Sequence, residues 1–251
     1  MGFNTNTGAS KSFSLQYSAT LGMLFLANEA NTEVLKKVKA EVGEAEWKKG
    51  FQGKASKAVK MAADAGLKGG SVTGVLSSAW AKPVEVSGRE TMYLTVGLKD
   101  ADGRYYVSLP MASEAAQKLT RKLVNCQPGV ETEISVFATM DDKPREGQTR
   151  IFASHGASVK QGGEQVTGVS PADGLKARVD AALKALADAG VDDKETINKR
   201  RAKVSEEYHL EILAAKKADF EAFYAARGEA ADAPTEPAAP AFDDLGDDIP
   251  F

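Results

Sequence analysis

The sequence predicts an α+β fold in which a five-stranded β-barrel is flanked by helices. Two observations predict it. Between residues 69 and 160 the hydrophobic pattern alternates with a period of two in five short segments, and one helical pattern separates the third from the fourth. On either side of this stretch the apolar residues recur at helical spacing. We therefore divide the chain into a helical extension (1–68), a barrel (69–160), a helical hairpin (161–228) and a tail (229–251).

The N-terminal extension is predicted to be helical after a polar start. Residues 1–10 are rich in Gly, Asn and Thr, which predicts poor order. From Glu29 onward apolar residues recur on one helical face, and a second helical segment follows until the glycines at 66, 69 and 70. Much of the positive charge of this extension lies in five lysines, Lys48, Lys49, Lys54, Lys57 and Lys60.

The middle of the chain supplies the five predicted strands. In the second of them, Leu94, Val96 and Leu98 fall on one face, while Tyr93 and Thr95 fall on the other. A DADG turn joins this strand to the third in a hairpin, and Ser113 is a candidate N-cap for the helix that follows. The strands are predicted at 71–81, 91–99, 104–111, 129–140 and 149–159.

Three strands, one helix and two strands is the order of an OB-fold. This fold is a small Greek-key barrel whose strand face and loops bind oligonucleotides or sugars. Other small α+β domains can share the same order of elements. The sequence therefore predicts an OB-like barrel.

A helical hairpin and an acidic tail complete the predicted fold. Leu175, Val179, Leu183 and Leu186 form one helical stripe, and a longer helix follows from about Asp193 to Arg227. Beyond residue 228 the chain is rich in Ala, Pro and acid, which predicts a disordered, extended tail. This tail carries seven acidic residues and no Lys or Arg, so the rest of the chain has a net charge of +4, against −3 for the whole. A mildly basic body predicts a negatively charged partner.

Several classes of protein are disfavoured by the sequence. The longest apolar run, 21–27, is too short to cross a bilayer, and no signal peptide precedes it, so we expect a cytoplasmic protein without a membrane partner. Cys126 is the single cysteine, and with only His155 and His209 beside it we expect no disulfide, metal site or cofactor. No residues form a convincing catalytic constellation, and the chain is predicted not to be an enzyme.

The last nine residues, DDLGDDIPF, join an aspartate cluster to an apolar end. This ending resembles the acidic tip of bacterial single-stranded DNA-binding proteins (SSBs), which closes on an Asp-rich run and Ile-Pro-Phe. In that family the tip docks proteins of replication, recombination and repair. The resemblance implies that the same docking role falls here to Asp243, Asp244, Asp247, Asp248, Ile249, Pro250 and Phe251.

The resemblance covers the tail by motif and the middle of the chain by topology alone. The family's barrel begins near the N-terminus, whereas about 68 residues precede it here, and the helical segment 175–227 has no counterpart in the family. We interpret the chain as a phage or plasmid version of such a protein, acting in the bacterial cytoplasm or nucleoid. A homo-oligomer stays an open alternative.

A general binder of unpaired DNA combines stacking rings with a basic groove. By strand alternation Tyr93, Tyr106 and Phe137 are candidate stacking residues. Trp80, near the end of the first predicted strand, is a fourth candidate, and burial in the core is its open alternative. The candidate phosphate contacts lie at strand ends and in the loop after 140, namely Lys82, Lys99, Arg104, Lys143, Arg145 and Arg150. The predicted barrel is nearly neutral, with eleven Lys and Arg against ten Asp and Glu, so stacking or the N-terminal lysines must supply much of the affinity.

The predicted function is therefore sequence-independent binding and protection of single-stranded DNA, with recruitment of partner enzymes by the tip. An adaptor or inhibitor is the alternative, in which the tip engages SSB-docking proteins without the chain coating DNA. A nuclease built on the barrel is a third class, disfavoured because no active site is recognisable.

Overall fold

The protein is α+β, with six helices and eight strands in the part of the chain that the structure describes. The computed structural model describes residues 11–86, 88–144, 149, 151–172 and 174–228, with Arg89 described by its backbone alone. The helices are α1 Glu29–Val42, α2 Glu44–Trp47, α3 Lys57–Asp64, α4 Glu114–Leu123, α5 Leu175–Asp188 and α6 Lys194–Ala225. The strands are β1 Ser12–Ser18, β2 Met23–Leu26, β3 Ser71–Val86, β4 Arg89–Lys99, β5 Arg104–Pro110, β6 Glu131–Met140, β7 Ala153–Gln161 and β8 Glu164–Gln165.

The eight strands form one sheet in the order β2-β1-β5-β4-β3-β6-β7-β8. Neighbouring strands are antiparallel except β1 and β5, which run parallel with Ser12 beside Arg104. Strand β2 also pairs with β6 at one position, where Met23 lies opposite Phe137. The pairings of β2, β1, β5, β4, β3 and β6 therefore form a closed cycle, which we term the strand ring.

The expectation of five strands is wrong, because three further strands join the sheet. Two of them, β1 and β2, come from the N-terminal extension, for which only helices were predicted. Leu15 and Tyr17 of β1 pack against the core. The strand was not predicted because the period-two pattern to which they belong spans only seven residues. The third, β8, is two residues long and lies in the segment 161–228, which was predicted to form a helical hairpin.

The five segments predicted as strands do form strands, and the helix between the third and fourth is confirmed as α4. The Ser113 hydroxyl accepts a hydrogen bond of 3.2 Å from the Ala116 N–H, as expected of an N-cap. Strand β3 continues five residues beyond its predicted end to Val86, and β7 begins at Ala153 rather than 149. The predicted poor order of residues 1–10 and disorder of the tail concern residues outside those described.

Two apolar clusters hold the fold together. The larger one fills one face of the ring strands and continues to α4 and α6, with Leu94, Val107, Leu119 and Phe220 among its members. The smaller one joins α1, α2 and α3 to the β1–β2 turn and β2, and Trp47 is buried in it. Burial of apolar surface on this scale is the main favourable term in folding.

Helix α4 covers the free edge of β7. The Glu114 carboxylate accepts a 2.9 Å hydrogen bond from the His155 N–H, and the Lys118 ammonium donates a 2.9 Å hydrogen bond to the His155 carbonyl. Glu114 and Lys118 also form an ion pair of 2.7 Å with each other. The N–H and the carbonyl of His155, which an open edge would leave unpaired, are thus satisfied by two side chains of one helix.

The hairpin of α5 and α6 is attached to the sheet through α6. Lys216 of α6 is almost fully buried, and its ammonium donates hydrogen bonds to the carbonyls of Cys126, at 2.6 Å, and Val124, at 3.4 Å. Val124 is the C-cap of α4, so a positive charge lies where the helix dipole is negative. None of the helices in the described ranges combines the length and hydropathy needed to span a lipid bilayer.

Replacing Lys216 with alanine should lower the free energy of unfolding by about 1–3 kcal/mol, because the carbonyls of Cys126 and Val124 lose their donor. The measurement is urea denaturation followed by circular dichroism. Lys217→Ala is the matched control, since Lys217 is exposed and forms a 3.6 Å ion pair with the exposed Glu221. It should change stability by less than about 0.5 kcal/mol. Equal effects of the two substitutions would contradict a role for Lys216 in joining α6 to α4.

Candidate nucleic-acid interface

Strand register brings the predicted stacking residues onto one face of the sheet. Lys82 lies opposite Tyr93, Trp80 opposite Thr95, and Tyr106 opposite Gly97. Directly opposed residues point to the same side of a sheet. Phe137 of β6 lies on the same face, which follows through the pairings of β3 with β6. We call this side of the sheet the aromatic face.

Three of the four predicted stacking rings are buried in this face rather than presented to solvent. Trp80, Tyr93 and Tyr106 are 4%, 7% and 5% exposed. The rings of Trp80 and Tyr106 meet edge to face with centroids 5.9 Å apart. Alternation correctly predicted the side of the sheet, but the solvent exposure expected of Tyr93 and Tyr106 was wrong. For Trp80 the open alternative, burial in the core, is the one observed.

Gly97 explains how Tyr106 comes to be buried. A Cβ atom at Gly97 would overlap the Ser78 hydroxyl and lie 3.4 Å from Cε1 of Tyr106. Because Gly97 has no side chain, the Tyr106 ring and Ser78 pack over β4. In this region the Ser77 and Ser78 hydroxyls and the Trp80 indole N–H have no hydrogen-bond partner among the described residues.

The predicted phosphate contacts do not form one group. Lys99 is exposed at the β4–β5 turn beside the half-buried Arg104, whereas Lys82 lies next to Tyr93, about 20 Å away along β4. Lys143 is exposed after the end of β6. Arg145, Arg150 and the predicted docking residues of the tail lie outside the described residues.

Phe137 is the predicted ring that remains accessible, at 41% exposed. It lies opposite Gly156 of β7, and a Cβ atom at Gly156 would be 2.9 Å from Cε2 and 3.0 Å from Cζ of the ring. The absence of a side chain at Gly156 lets the ring rest against the backbone of the neighbouring strand. A flat aromatic surface is therefore held in a defined position with part of it open to solvent.

Phe137 lines a groove of about 430 Å³ between α4, the strands β6 and β7, and residues 168–171. Three cationic side chains of α4, Lys118, Arg121 and Lys122, line the opposite wall. Among the described residues that line it, none is acidic. The groove thus combines positive charge with one exposed ring, which are the two features that a single-strand binder needs.

Helix geometry places the three cations together. Residues 118, 121 and 122 are three and four positions apart and so share one side of α4. The opposite side of the helix is buried in the core through Ala115, Ala116, Leu119 and Leu123. The core therefore fixes the direction in which the cationic side chains point.

Arg121 has the least satisfied charge of the three. Lys118 is engaged with Glu114 and the His155 carbonyl, and Lys122 donates to the Val166 carbonyl at 3.1 Å. The guanidinium of Arg121 makes one long hydrogen bond, 3.4 Å from Nε to the Gln117 carbonyl, and has no ion pair with a described residue. Partial burial lowers the pKa of Arg121, but an arginine stays charged at neutral pH.

The segment 168–171 forms the far wall of the groove. The Val169 N–H donates to the Arg121 carbonyl at 3.1 Å, which ties the segment to the end of α4. A Cβ atom at Gly168 would lie 3.2 Å from Cγ of Lys122 and 3.3 Å from the carbonyl carbon of Arg121. A larger residue would press the segment away from the helix, so Gly168 keeps the groove narrow.

The cations of α4 are candidate site residues that the sequence pattern did not single out. The signal was present, because QKLTRK carries Lys118, Arg121 and Lys122 on the side opposite the buried Leu119 and Leu123. What the pattern could not supply is that this side of α4 faces Phe137 across β7.

Comparison with protein-family models, with curated proteins and with solved structures finds no match for the chain.

Iodide should quench the tryptophan emission of the native protein several-fold less than that of the unfolded chain. The protein has two tryptophans, and Trp47 and Trp80 are only 2% and 4% exposed, so a charged quencher cannot reach either ring. Stern–Volmer constants measured with and without guanidinium chloride give the comparison. Equal constants in the two states would contradict burial of Trp80 in the aromatic face.

Proposed function

We propose that the protein binds single-stranded DNA without sequence preference and without catalysis. It coats and protects the strand during replication, recombination and repair, and the C-terminal tip recruits partner enzymes. The groove beside Phe137 is the observation that carries this proposal. It joins an accessible ring to three cations of α4, and none of the described residues that line it is acidic.

The chemistry of unpaired DNA matches these two features. Every base has a flat face, and Phe137 offers a partly exposed ring on which a base can stack. Every nucleotide has one phosphate, and the guanidinium of Arg121 has donors that no described carboxylate occupies. Neither contact reads a base edge, so binding tolerates any sequence.

The topology supports the same proposal. We propose that the sheet is a variant of an OB-like barrel, in which β3, β4 and β5 precede α4, and β6 and β7 follow it. In OB-folds the loop between the last two strands takes part in binding. The corresponding connection here, 141–152, begins directly after β6, whose last residue, Met140, is three positions beyond Phe137.

The sequence of the tail supplies the recruiting half of the proposal. Phe251 offers a ring to a hydrophobic pocket of a partner, and the aspartates add electrostatic attraction. The partner class is the replication or repair proteins that dock SSB tips.

Phe137→Ala and Arg121→Ala should each weaken binding of a fluorescent oligo-dT measured by anisotropy. Loss of one stacking contact, worth about 1–3 kcal/mol, raises Kd about 5- to 150-fold. Loss of one phosphate contact lowers the slope of log K against log salt concentration by about 0.7.

Val75→Ala and Arg200→Ala are the matched controls for these substitutions. Val75 is 39% exposed on β3, and Arg200 is exposed on α6 without an ion pair among the described residues. Both controls should bind like the parent protein, and thermal melting establishes that all four variants fold. Unchanged affinity of folded Phe137→Ala and Arg121→Ala proteins would exclude the groove as the site.

Truncation after Arg227 should leave affinity for oligo-dT equal or higher, because a competing polyanion is removed. Markedly weaker binding by the truncated chain would contradict a DNA-binding body with an accessory tail. Absence of oligo-dT binding by the full chain even at low salt would favour the adaptor, which uses the tip without coating DNA.

A further inference from the structure

The surroundings of Phe137 on the side away from α4 lead to a further inference, which rests on the proposed function. On that side β6 pairs with β2, and Met23 lies directly opposite Phe137. The two side chains therefore share one face of the sheet. Met23 is half-buried, so the accessible surface continues from the ring toward β2.

The residues just before β3 lie against Met23. A Cβ atom at Gly69 would be 2.7 Å from Cβ and 2.8 Å from Sδ of Met23, so the backbone at 69 touches this side chain. The Gly70 N–H donates a 3.1 Å hydrogen bond to the Leu24 carbonyl, and Leu67 is buried in the smaller core. Anchors on both sides thus fix the backbone at Lys68.

Lys68 is exposed and forms no ion pair with a described residue. Lys68 directly precedes Gly69, whose backbone touches Met23, while Arg121 and Lys122 line the groove beyond Gly156 on the other side of the ring. The β2 and β7 neighbours of β6 are about 10 Å apart, a distance that one extended strand of nucleic acid can cross. Phe137 therefore lies between two sources of positive charge.

We propose that Lys68 binds a phosphate of the same DNA strand that contacts Arg121, so that the strand crosses β6 over Phe137. The N-terminal extension then forms one wall of the DNA site. The region 69–160 has nearly balanced charge. A phosphate contact at Lys68 explains how this region has affinity for DNA, because part of the positive charge then comes from outside it.

Photo-crosslinking tests the path, because the chain has one native thiol and it is protected. Burial raises the pKa of Cys126 to about 11, so a maleimide reagent labels an introduced cysteine instead. Benzophenone maleimide on Lys68→Cys and on Lys122→Cys should crosslink oligo-dT on illumination. Lys37→Cys, at an exposed position of α1, is the control and should give little crosslinking.

The outcomes separate this inference from the proposed function. Crosslinking at 122 without crosslinking at 68 overturns the path and leaves DNA binding in the groove intact. Oligo-dT binding by none of the labelled or parent proteins overturns both. Equal crosslinking at 68 and 37 also overturns the path, because crosslinking that does not depend on the labelled position is not evidence of a specific contact at residue 68.

Charge reversal gives an independent measurement on unlabelled protein. Lys68→Glu should raise Kd for oligo-dT about tenfold at low salt, and the difference should shrink as salt screens the charge. Lys37→Glu makes the same change of charge on α1 and should have a several-fold smaller effect. Identical affinities of these two variants would contradict a specific contact at Lys68.

Discussion

The pairing of Met23 with Phe137 is the contact on which the arrangement of this protein depends. It joins the N-terminal hairpin of β1 and β2 to β6, and so closes the cycle of six strands. The Ala138 N–H adds a 3.1 Å hydrogen bond to the Gly22 carbonyl at the same junction. Because Phe137 takes part in this closure, the accessible ring is also the point where the N-terminal segment meets the central strands. Structure and proposed site are thus coupled at one residue.

Helix α4 provides the second constraint, through two different sides. Its apolar side is inserted into the core, and Glu114 and Lys118 bind the peptide group of His155 at the edge of β7. The remaining side, with Arg121, is held facing the groove. A helix that moved to relieve one of these contacts would have to break the others. Movement of this groove wall would therefore disturb the core beneath it.

The sequence predicted the elements of the central region better than their exposure. Period-two alternation located β3 to β7, and Ser113 marked the start of α4, because both signals are local. Burial of Tyr106 depends on Gly97 of a neighbouring strand, and the role of Arg121 depends on what α4 faces, so neither follows from local pattern. Strand β2 is only four residues long, and it closes the strand ring by pairing Met23 with Phe137, which lies far along the chain. The docking role that the resemblance to SSB tips implies for the tail stays a prediction, because the tail lies outside the described residues.

The parallel pairing of β1 with β5 has a consequence for biogenesis. Strand β1 leaves the ribosome early, but its partners at Arg104 and beyond are synthesised much later. Until then the edges of β1 and β2 have only each other, and a two-stranded hairpin is marginally stable at best. Contacts between residues so distant in sequence slow folding, since a long loop must be closed first. The N-terminal strands therefore complete their pairing in the sheet only after β5 and β6 have been synthesised.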